Sequence, residues 1–271
     1  MQGMYRLTRA FVAALAAAVV AAPAAAATDI RMSTTTSTEA SGLLPFLLPP
    51  FEARCRCKVR VLAMGTGKAL ELGRNGDVDV VLVHARTAED QFVAEGYGTG
   101  RRDVMYNDFI IVGPESDPAQ LKGTKDVLEA MRKLQVSGAT FIARGDNSGT
   151  DQMEKTYWRA AGIGPRGSWY VSAGLGMGEV LTMAAEKRAY TLTDRATYTA
   201  YRSRIGLAIL VERDPRMFNP YGIIAVNPQR HPGVNYRGAV DLIEWITSAE
   251  GQRRIADFKV NGEQVFFPGG P

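Results

Sequence analysis

The 271-residue chain has few of the residues from which metal centres and disulfide scaffolds are built. It contains two cysteines and two histidines, His84 and His231, too few for a disulfide-rich fold or a histidine-rich metal site. It also lacks the basic runs with interleaved aromatics that are typical of nucleic-acid surfaces, and its net charge is only +4. We therefore expect no nucleic-acid partner, no metal and no cofactor.

The chain has no long hydrophobic run beyond its first residues. Arg6 and Arg9 precede an apolar stretch at 10–22, and alanines follow Pro23. Basic residues, a short apolar stretch and an A-x-A site are typical of a cleaved signal peptide, and the stretch is short for a membrane span. We assign 1–27 to a signal peptide and the mature protein to the periplasm. A retained membrane anchor is the alternative.

Cys55 and Cys57 are separated by one residue. An oxidising compartment favours their pairing, but a bridge between residues i and i+2 is strained. A local disulfide, free thiols and an intermolecular bridge therefore all remain open.

Short runs rich in β-branched residues alternate with runs of helical periodicity. This alternation predicts an α/β fold. The predicted strands include 59–63, 78–83, 109–112 and 140–143, and the predicted helices include 68–73, 153–161, 177–187 and 238–258.

Two segments are predicted to connect two lobes. In 104–114, the residues Met105 to Asp108 interrupt a strand-like run, and in 206–228 two strand-like pieces flank a predicted turn at Asn219-Pro220. A chain that leaves one lobe and returns needs two such connections. We predict lobe I from 28–107 and 215–271, and lobe II from 108–214. One large domain is the alternative.

Three loops place serine, threonine and glycine directly before a predicted helix, at 33–42, 64–70 and 144–150. A helix N-terminus offers free N–H groups and a partial positive charge. Glycine permits close approach, hydroxyls add donors, and Arg144 adds a charged fork that suits tetrahedral oxyanions. The loops therefore predict an anion site. Ordinary helix caps, and an ion pair of Arg144 with Asp146 or Asp151, are the alternatives.

Two further segments, 174–178 and 190–195, are candidates to line the site from the second lobe, with an N-cap as the alternative for Asp194. Walker A is excluded because Leu62 and Ala69 stand where it needs glycine and Ser/Thr. The chain has no G-x-S-x-G elbow, and neither histidine has an evident nucleophile partner. We therefore predict that the protein is not an enzyme.

Six segments together resemble the family of periplasmic tungstate-binding proteins of ABC importers, over nearly the whole mature chain. R-x-D-x-S-G-T alone is also similar to phosphate-binding proteins. The chain departs from the family at Cys55 and Cys57. It also departs at Asp151, since the family often has histidine at that position. The matching segments are STTTS at 33–37, GTG at 65–67 with Ala69-Leu70, GDVDVVLVH at 76–84, VMYNDFIIVGP at 104–114, RGDNSGT at 144–150 and YTLTDR at 190–195.

The resemblance implies a type II periplasmic binding protein fold, with two α/β lobes joined by two hinge strands. It implies a monomer that binds tungstate, with molybdate open, and delivers it to a permease with its ATPase. A phosphate-binding protein, or an exported phosphoester-processing enzyme, is the alternative. We expect Asp146 and Asp151 to turn away from the ligand, since a carboxylate acceptor would favour protonated phosphate. The implied ligand-binding residues are Thr35, Thr36, Ser37, Thr66, Arg144, Ser148, Gly149 and Thr150.

Overall fold

The computed structural model describes residues 29–269. The predicted signal peptide at 1–27 lies outside these residues. Within 29–269, the helices have at most twelve residues, and none is long and apolar enough to cross a membrane.

The structure alternates strands and helices along most of its length. The strands are β1 (Ile30–Thr35), β2 (Val59–Met64), β3 (Val80–Val83), β4 (Gly98–Gly113), β5 (Phe141–Ala143), β6 (Tyr170–Ser172), β7 (Thr191–Asp194), β8 (Ala208–Val211), β9 (Phe218–Val226), β10 (Lys259–Val260), β11 (Glu263–Gln264) and β12 (Phe267–Pro268). The helices are α1 (Thr36–Ala40), α2 (Leu43–Leu47), α3 (Pro49–Cys55), α4 (Thr66–Asn75), α5 (Arg86–Ala94), α6 (Val127–Ser137), α7 (Gly149–Ala160), α8 (Met177–Glu186), α9 (Arg195–Ile205), α10 (Tyr236–Thr247) and α11 (Ala249–Asp257).

Lobe I is built on a sheet with the strand order β12-β4-β9-β3-β1-β2. Strand β1 is parallel to both β2 and β3, whereas β9 is antiparallel to β3 and β4. The carboxyl ends of parallel strands lie at one edge of a sheet. Helices α1 and α4, which follow β1 and β2, therefore begin next to each other, and the residue that follows β3 lies beside them.

Strand β4 passes from lobe I into lobe II. It pairs with β9 as far as Asp108, opposite Phe218, and from Phe109 onwards it pairs with β7 and β8. The prediction that Met105 to Asp108 interrupt the strand is wrong. Asn107 Oδ1 accepts from Asn219 Nδ2 at 2.7 Å, and the Asp108 carboxylate accepts two hydrogen bonds from Arg195. Because their side chains have partners, these polar residues can lie inside a strand.

The second connection between the lobes is the path from β8 to β9. Both strands are antiparallel to β4, so the chain continues in one direction through a 3₁₀ turn at Pro215–Met217. The turn predicted at Asn219-Pro220 is wrong, because both residues lie inside β9, opposite Asn107 and Tyr106.

The helix predicted at 238–258 is two helices, α10 and α11. Ser248 separates them, and its Oγ accepts from the Gly251 N–H at 3.3 Å as the cap of α11. A serine in extended conformation ends one helix and begins the next, whereas the hydrophobic periodicity continues through it. Trp245, near the end of α10, packs in the core of lobe I.

Cys55 and Cys57 form a disulfide at the end of α3. Arg56 between them adopts the left-handed conformation, with φ of 56°, which turns the chain back on itself. Cys57 belongs to the lobe I core and Cys55 packs against it. Of the three alternatives left open by the sequence, the structure contains the local bridge.

Candidate functional site

The three loops predicted to bind an anion end at the N-termini of α1, α4 and α7, which follow β1, β2 and β5. Ser and Thr cap two of these helices. Thr35 Oγ1 accepts from the Thr38 N–H at 3.2 Å, and Ser148 Oγ accepts from the Asp151 N–H at 3.2 Å. The alternative that these residues are ordinary helix caps is therefore correct for Thr35 and Ser148, and both residues also lie at the candidate anion site.

The loops of the two lobes contact one another directly. The Gly149 N–H donates to Thr66 Oγ1 at 2.9 Å, and the Gly67 N–H donates to the Asn147 carbonyl at 3.3 Å. A Cβ at Gly65 would lie 2.8 Å from the Asp146 carbonyl oxygen. Only glycine permits this approach, and the lobes are closed on each other here.

Arg144 lies at the centre of this contact and is 1% exposed. Its Nη2 donates to Thr36 Oγ1 at 3.1 Å and also contacts the Asp146 carboxylate. Its Nε and Nη1 are buried and have no hydrogen-bond partner within the described residues, and the same is true of Thr150 Oγ1. Buried donors without partners cost free energy, so these groups are suited to an anionic ligand.

Three hydroxyl oxygens around Arg144 each accept a hydrogen bond from an N–H group. Thr36 Oγ1 accepts from Arg144, Thr66 Oγ1 accepts from the Gly149 N–H, and Ser148 Oγ accepts from a backbone N–H of α7. Each hydroxyl therefore keeps its own proton to donate. The result is a site rich in donors around one guanidinium.

The two carboxylates of the third loop behave differently. Asp151 accepts from the N–H groups of Gly145 and Asn147, both at 3.1 Å, and from Lys155 at 2.6 Å, so its carboxylate stabilises the backbone of the loop. Asp146 contacts the Arg144 guanidinium, which is the ion pair named as an alternative for Arg144. Its other oxygen accepts from the Ser148 N–H at 3.2 Å, so Asp146 orients the guanidinium and the loop together.

Lobe II also contributes Asp194, at the end of β7. Both of its oxygens accept from Thr197, from the N–H at 2.9 Å and from the hydroxyl at 2.7 Å. Burial raises the pKa of Asp194, and the Arg144 charge opposes that effect. Asp194 is thus an N-cap. In the 174–178 loop, a Cβ at Gly176 would lie 3.8 Å from Thr36 Oγ1, which places that loop beside the site.

His84 is the residue at this site that the sequence reasoning did not assign. It follows β3 and is 3% exposed. Its Nε2 lies 3.1 Å from Ser37 Oγ and 3.2 Å from Thr35 Oγ1, so the structure brings hydroxyls to a histidine for which the sequence offered no evident nucleophile partner. The signal available in the sequence was its position directly after the apolar strand-like run at 78–83.

The other face of His84 is held by the strands that join the lobes. Nδ1 lies 3.0 Å from Asn219 Oδ1, and the ring stacks on Tyr221 with centroids 4.6 Å apart. Burial lowers the pKa of His84 to about 4, with a further contribution from the Arg144 charge. The imidazole is therefore neutral near neutral pH.

Ser37, His84 and Asn219 have the order of a nucleophile, a base and an orienting residue. An imidazole with a pKa of about 4 is a weak base at neutral pH, and all three residues are buried. Residues 29–269 contain no cluster of three or more His, Cys, Asp or Glu that could hold a metal ion. The arrangement suits the binding of a small anion better than proton abstraction.

Residues 20–250 match the family model of a PBP superfamily domain. The tungstate-binding protein TupA of Peptoclostridium acidaminophilum is 48% identical over 243 residues, which cover 88% of this chain and 85% of that protein.

Two solved structures are also similar to this chain. That of the tungstate ABC transporter from Geobacter sulfurreducens is 56% identical with a TM-score of 0.79, and the match covers 85% of this chain and 98% of that one. That of the tungstate-binding protein TupA from Desulfovibrio alaskensis G20 is 45% identical with a TM-score of 0.77, covering 90% and 100%. The chain therefore belongs to the PBP superfamily and, within it, to the family of the TupA proteins.

Proposed function

We propose that the protein is a periplasmic substrate-binding protein that captures tungstate or molybdate for an ABC importer. The observation that carries this proposal is the buried Arg144 guanidinium, whose Nε and Nη1 lack partners within the described residues. A dianion of four oxygens would accept from both nitrogens at once. The family supports the same ligand class, because relatives across nearly the whole chain are named tungstate-binding proteins.

The polarity of the hydroxyls favours an oxyanion without a proton. Thr36, Thr66 and Ser148 each accept an N–H and have an O–H left to donate. Tungstate and molybdate carry no proton near neutral pH and need donors only. Each charge-assisted hydrogen bond contributes roughly 1.5–3 kcal/mol, so several together offset the cost of removing water from the anion.

The proposed ligand-binding set is Thr35, Thr36, Ser37, Thr66, Arg144, Ser148, Gly149 and Thr150. Contacts between the loops of 28–107 and those of 108–214 support this set, since each lobe then contributes donors to one ligand. Such a ligand stabilises the closed arrangement through the contacts that it makes to both lobes.

Phosphate is the second candidate ligand, and Asp146 is the observation in its favour. Monohydrogen phosphate needs one acceptor, and the Asp146 carboxylate contacts the same guanidinium. Each Asp146 oxygen, however, already accepts from Arg144 or from the Ser148 N–H. We rank phosphate below tungstate and molybdate because relatives that match nearly the whole chain are named tungstate-binding proteins.

Catalysis is the remaining candidate, because Ser37 and His84 contact each other at 3.1 Å. The depressed pKa of His84 argues against general-base catalysis at neutral pH. We propose that the protein has no enzymatic activity. Hydrolysis of p-nitrophenyl phosphate or acetate that disappears in His84→Phe would contradict this proposal.

The proposed partner is a membrane permease with its ATPase, which would receive the oxyanion from a monomeric binding protein. We further propose export by cleavage near Ala27. N-terminal sequencing of the protein recovered from the periplasm should then begin near residue 28. An intact Met1 on the exported protein would contradict cleavage.

Isothermal titration of the purified protein with tungstate, molybdate, sulfate and phosphate tests the ligand. We expect heat and one-to-one binding with tungstate and molybdate, and much weaker binding of sulfate and phosphate. Tight phosphate binding with no tungstate heat would replace this proposal with the phosphate alternative.

A further inference from the structure

Strands β10 and β11 form a short hairpin, residues 259–264, joined by the two-residue turn Asn261-Gly262. Both turn residues have positive φ angles, of 51° and 83°. A type I′ turn requires this conformation, and Asn-Gly is among the pairs that adopt it most readily. The local sequence therefore encodes a tight hairpin whose tip presents the Asn261 side chain.

The hairpin is anchored on lobe I at both of its ends. Phe258 before it, and Val265 and Phe266 after it, are buried in the lobe I core. Strand β12 follows directly and pairs with β4 at Met105 and Tyr106, before β4 passes into lobe II. The base of the hairpin therefore belongs to lobe I.

The tip of the hairpin contacts α9, which lies in the segment assigned to lobe II. Asn261 Nδ2 donates to the Thr199 carbonyl oxygen at 2.8 Å, and Arg202 Nη1 lies 2.8 Å from Glu263 Oε1. Both contacts join one lobe to the other. Neither involves a residue of the proposed ligand-binding set.

The hairpin lies on the side of lobe I that faces lobe II. At its base, the Phe258 and Phe46 ring centroids are 5.5 Å apart, and a Cβ at Gly42 would lie 3.9 Å from the Phe258 ring. Gly42 comes just after α1, the helix that carries Thr36 to Arg144 and that also lies against α9. Separating the lobes at α1 should therefore also separate the hairpin from α9.

We propose that the hairpin is a latch that holds the lobes closed over the bound oxyanion, with Asn261 as its positioning residue. The inference rests on the proposed function. An enclosed ligand leaves only after the lobes open, so bonds made in the closed arrangement slow its release. Entry into the open form does not use these bonds. The latch therefore acts on retention of the ligand and not on its recognition.

Two variants of Asn261 remove the donor without disturbing the turn. Asn261→Gly keeps the positive φ, and Asn261→Asp keeps the size of the side chain but sets a carboxylate against the Thr199 carbonyl. We expect each to release tungstate about threefold to tenfold faster than wild type, the effect of one lost hydrogen bond. The dissociation constant should rise by the same factor, with an unchanged association rate.

The matched control is Lys259→Ala, at an exposed position of the same hairpin, which should behave as wild type. Stopped-flow tryptophan fluorescence measures association and release, titration calorimetry measures the dissociation constant, and thermal unfolding shows whether each variant is folded.

The ion pair tests the same contact and leaves the turn untouched, so it also serves if the Asn261 variants fail to fold. Arg202→Glu places like charges opposite each other, and we expect release to become about twofold faster at low ionic strength. Adding Glu263→Arg restores opposite charges and should restore the wild-type rate. A loss of packing at position 202 would not be repaired by the second exchange.

The latch and the proposed function fail in different ways. Wild-type release rates in folded Asn261 variants, slower association in them, or no repair of Arg202→Glu by Glu263→Arg would overturn the latch alone. A wild-type protein that does not bind tungstate would contradict the proposed function. The latch is then measured with whichever oxyanion binds, because neither of its two contacts involves a proposed ligand-binding residue.

Discussion

The backbone N–H of Gly149 donates to the Thr66 hydroxyl across 2.9 Å, and it joins the first residue of α7 in one lobe to the first residue of α4 in the other. Both groups belong to helix N-termini, where backbone N–H groups have no partner within the helix. The Gly149 N–H thus directly stabilises the contact between the two lobes. The Thr66 proton remains to be donated to the ligand.

Arg144 supplies the only full positive charge among the proposed ligand-binding residues. We expect Arg144→Ala to lower tungstate affinity at least tenfold, because two or more charge-assisted hydrogen bonds of roughly 1.5–3 kcal/mol each are lost. Titration calorimetry measures the effect. Arg159→Ala, which removes an exposed arginine of α7, is the matched control and should bind normally. Unchanged affinity in Arg144→Ala would place the site elsewhere.

Gly149 packs on the His84 carbonyl oxygen, and an alanine Cβ there would lie 2.7 Å from it. We expect Gly149→Ala to weaken tungstate binding and to lower the free energy of unfolding by about 1–3 kcal/mol, the usual cost of overpacking. Gly164→Ala is the control, since its Cβ would meet no atom within 4 Å. Thermal unfolding with and without tungstate reports both effects. Equal behaviour of the two variants would show that close packing at Gly149 is dispensable.

Glu154 is buried and accepts from Trp158 Nε1 at 3.0 Å and from the Tyr170 hydroxyl at 2.8 Å. Burial raises its pKa from 4.5 to about 7. Between these two values the folded protein holds a proton that the unfolded chain has lost, so this group makes stability fall as the pH rises from about 4.5 to 7.

We therefore expect Glu154→Gln, which keeps the accepting oxygen, to gain stability relative to wild type between pH 5 and 8, by about 1–3 kcal/mol. Urea unfolding at the two pH values measures this difference. Glu129→Gln, at an exposed position of α6, should show no such change. A pH-independent difference for Glu154→Gln would mean that Glu154 is ionised throughout.

The Cys55–Cys57 disulfide closes a loop of three residues in lobe I. A loop this short restricts the unfolded chain little, so we expect reduction to lower the free energy of unfolding by at most about 2 kcal/mol. We also expect unchanged tungstate affinity, since neither cysteine contacts the proposed ligand-binding residues. Calorimetry and thermal unfolding with a reductant, and with Cys55→Ser/Cys57→Ser, measure both. A loss of affinity on reduction would couple the disulfide to the site.

Local features of the sequence predicted the loops well. The residues from Arg144 to Thr150 combine a strand end, glycine and a Ser cap within seven positions, and each of these signals acts over a few residues. Strand continuity was predicted less well. Asn107 and Asn219 look like turn residues along the chain, yet Asn219 Nδ2 donates a hydrogen bond to Asn107 Oδ1 across β9 and β4.

For the residues around Arg144, contacts between near neighbours in the sequence could likewise be predicted, whereas contacts between distant residues could not. Asp146 was one of two predicted partners for Arg144, because it is two residues away and within reach. His84 could not be paired with Ser37, which lies 47 positions before it, because only the parallel pairing of β1 with β3 brings the ends of those strands together.

The α/β fold class, the three donor-rich helix N-termini and the arginine among them could be predicted from the sequence, because these properties depend on neighbouring residues and on hydrophobic periodicity. The tertiary structure was needed to show which hydroxyls accept N–H groups, that Asp146 and not Asp151 contacts Arg144, and that His84 Nε2 lies within 3.2 Å of Ser37 Oγ and Thr35 Oγ1. Hydrogen-bond polarity in a buried cluster depends on all of the partners that strand pairing and lobe closure bring within about 3 Å, and no sequence interval specifies that set.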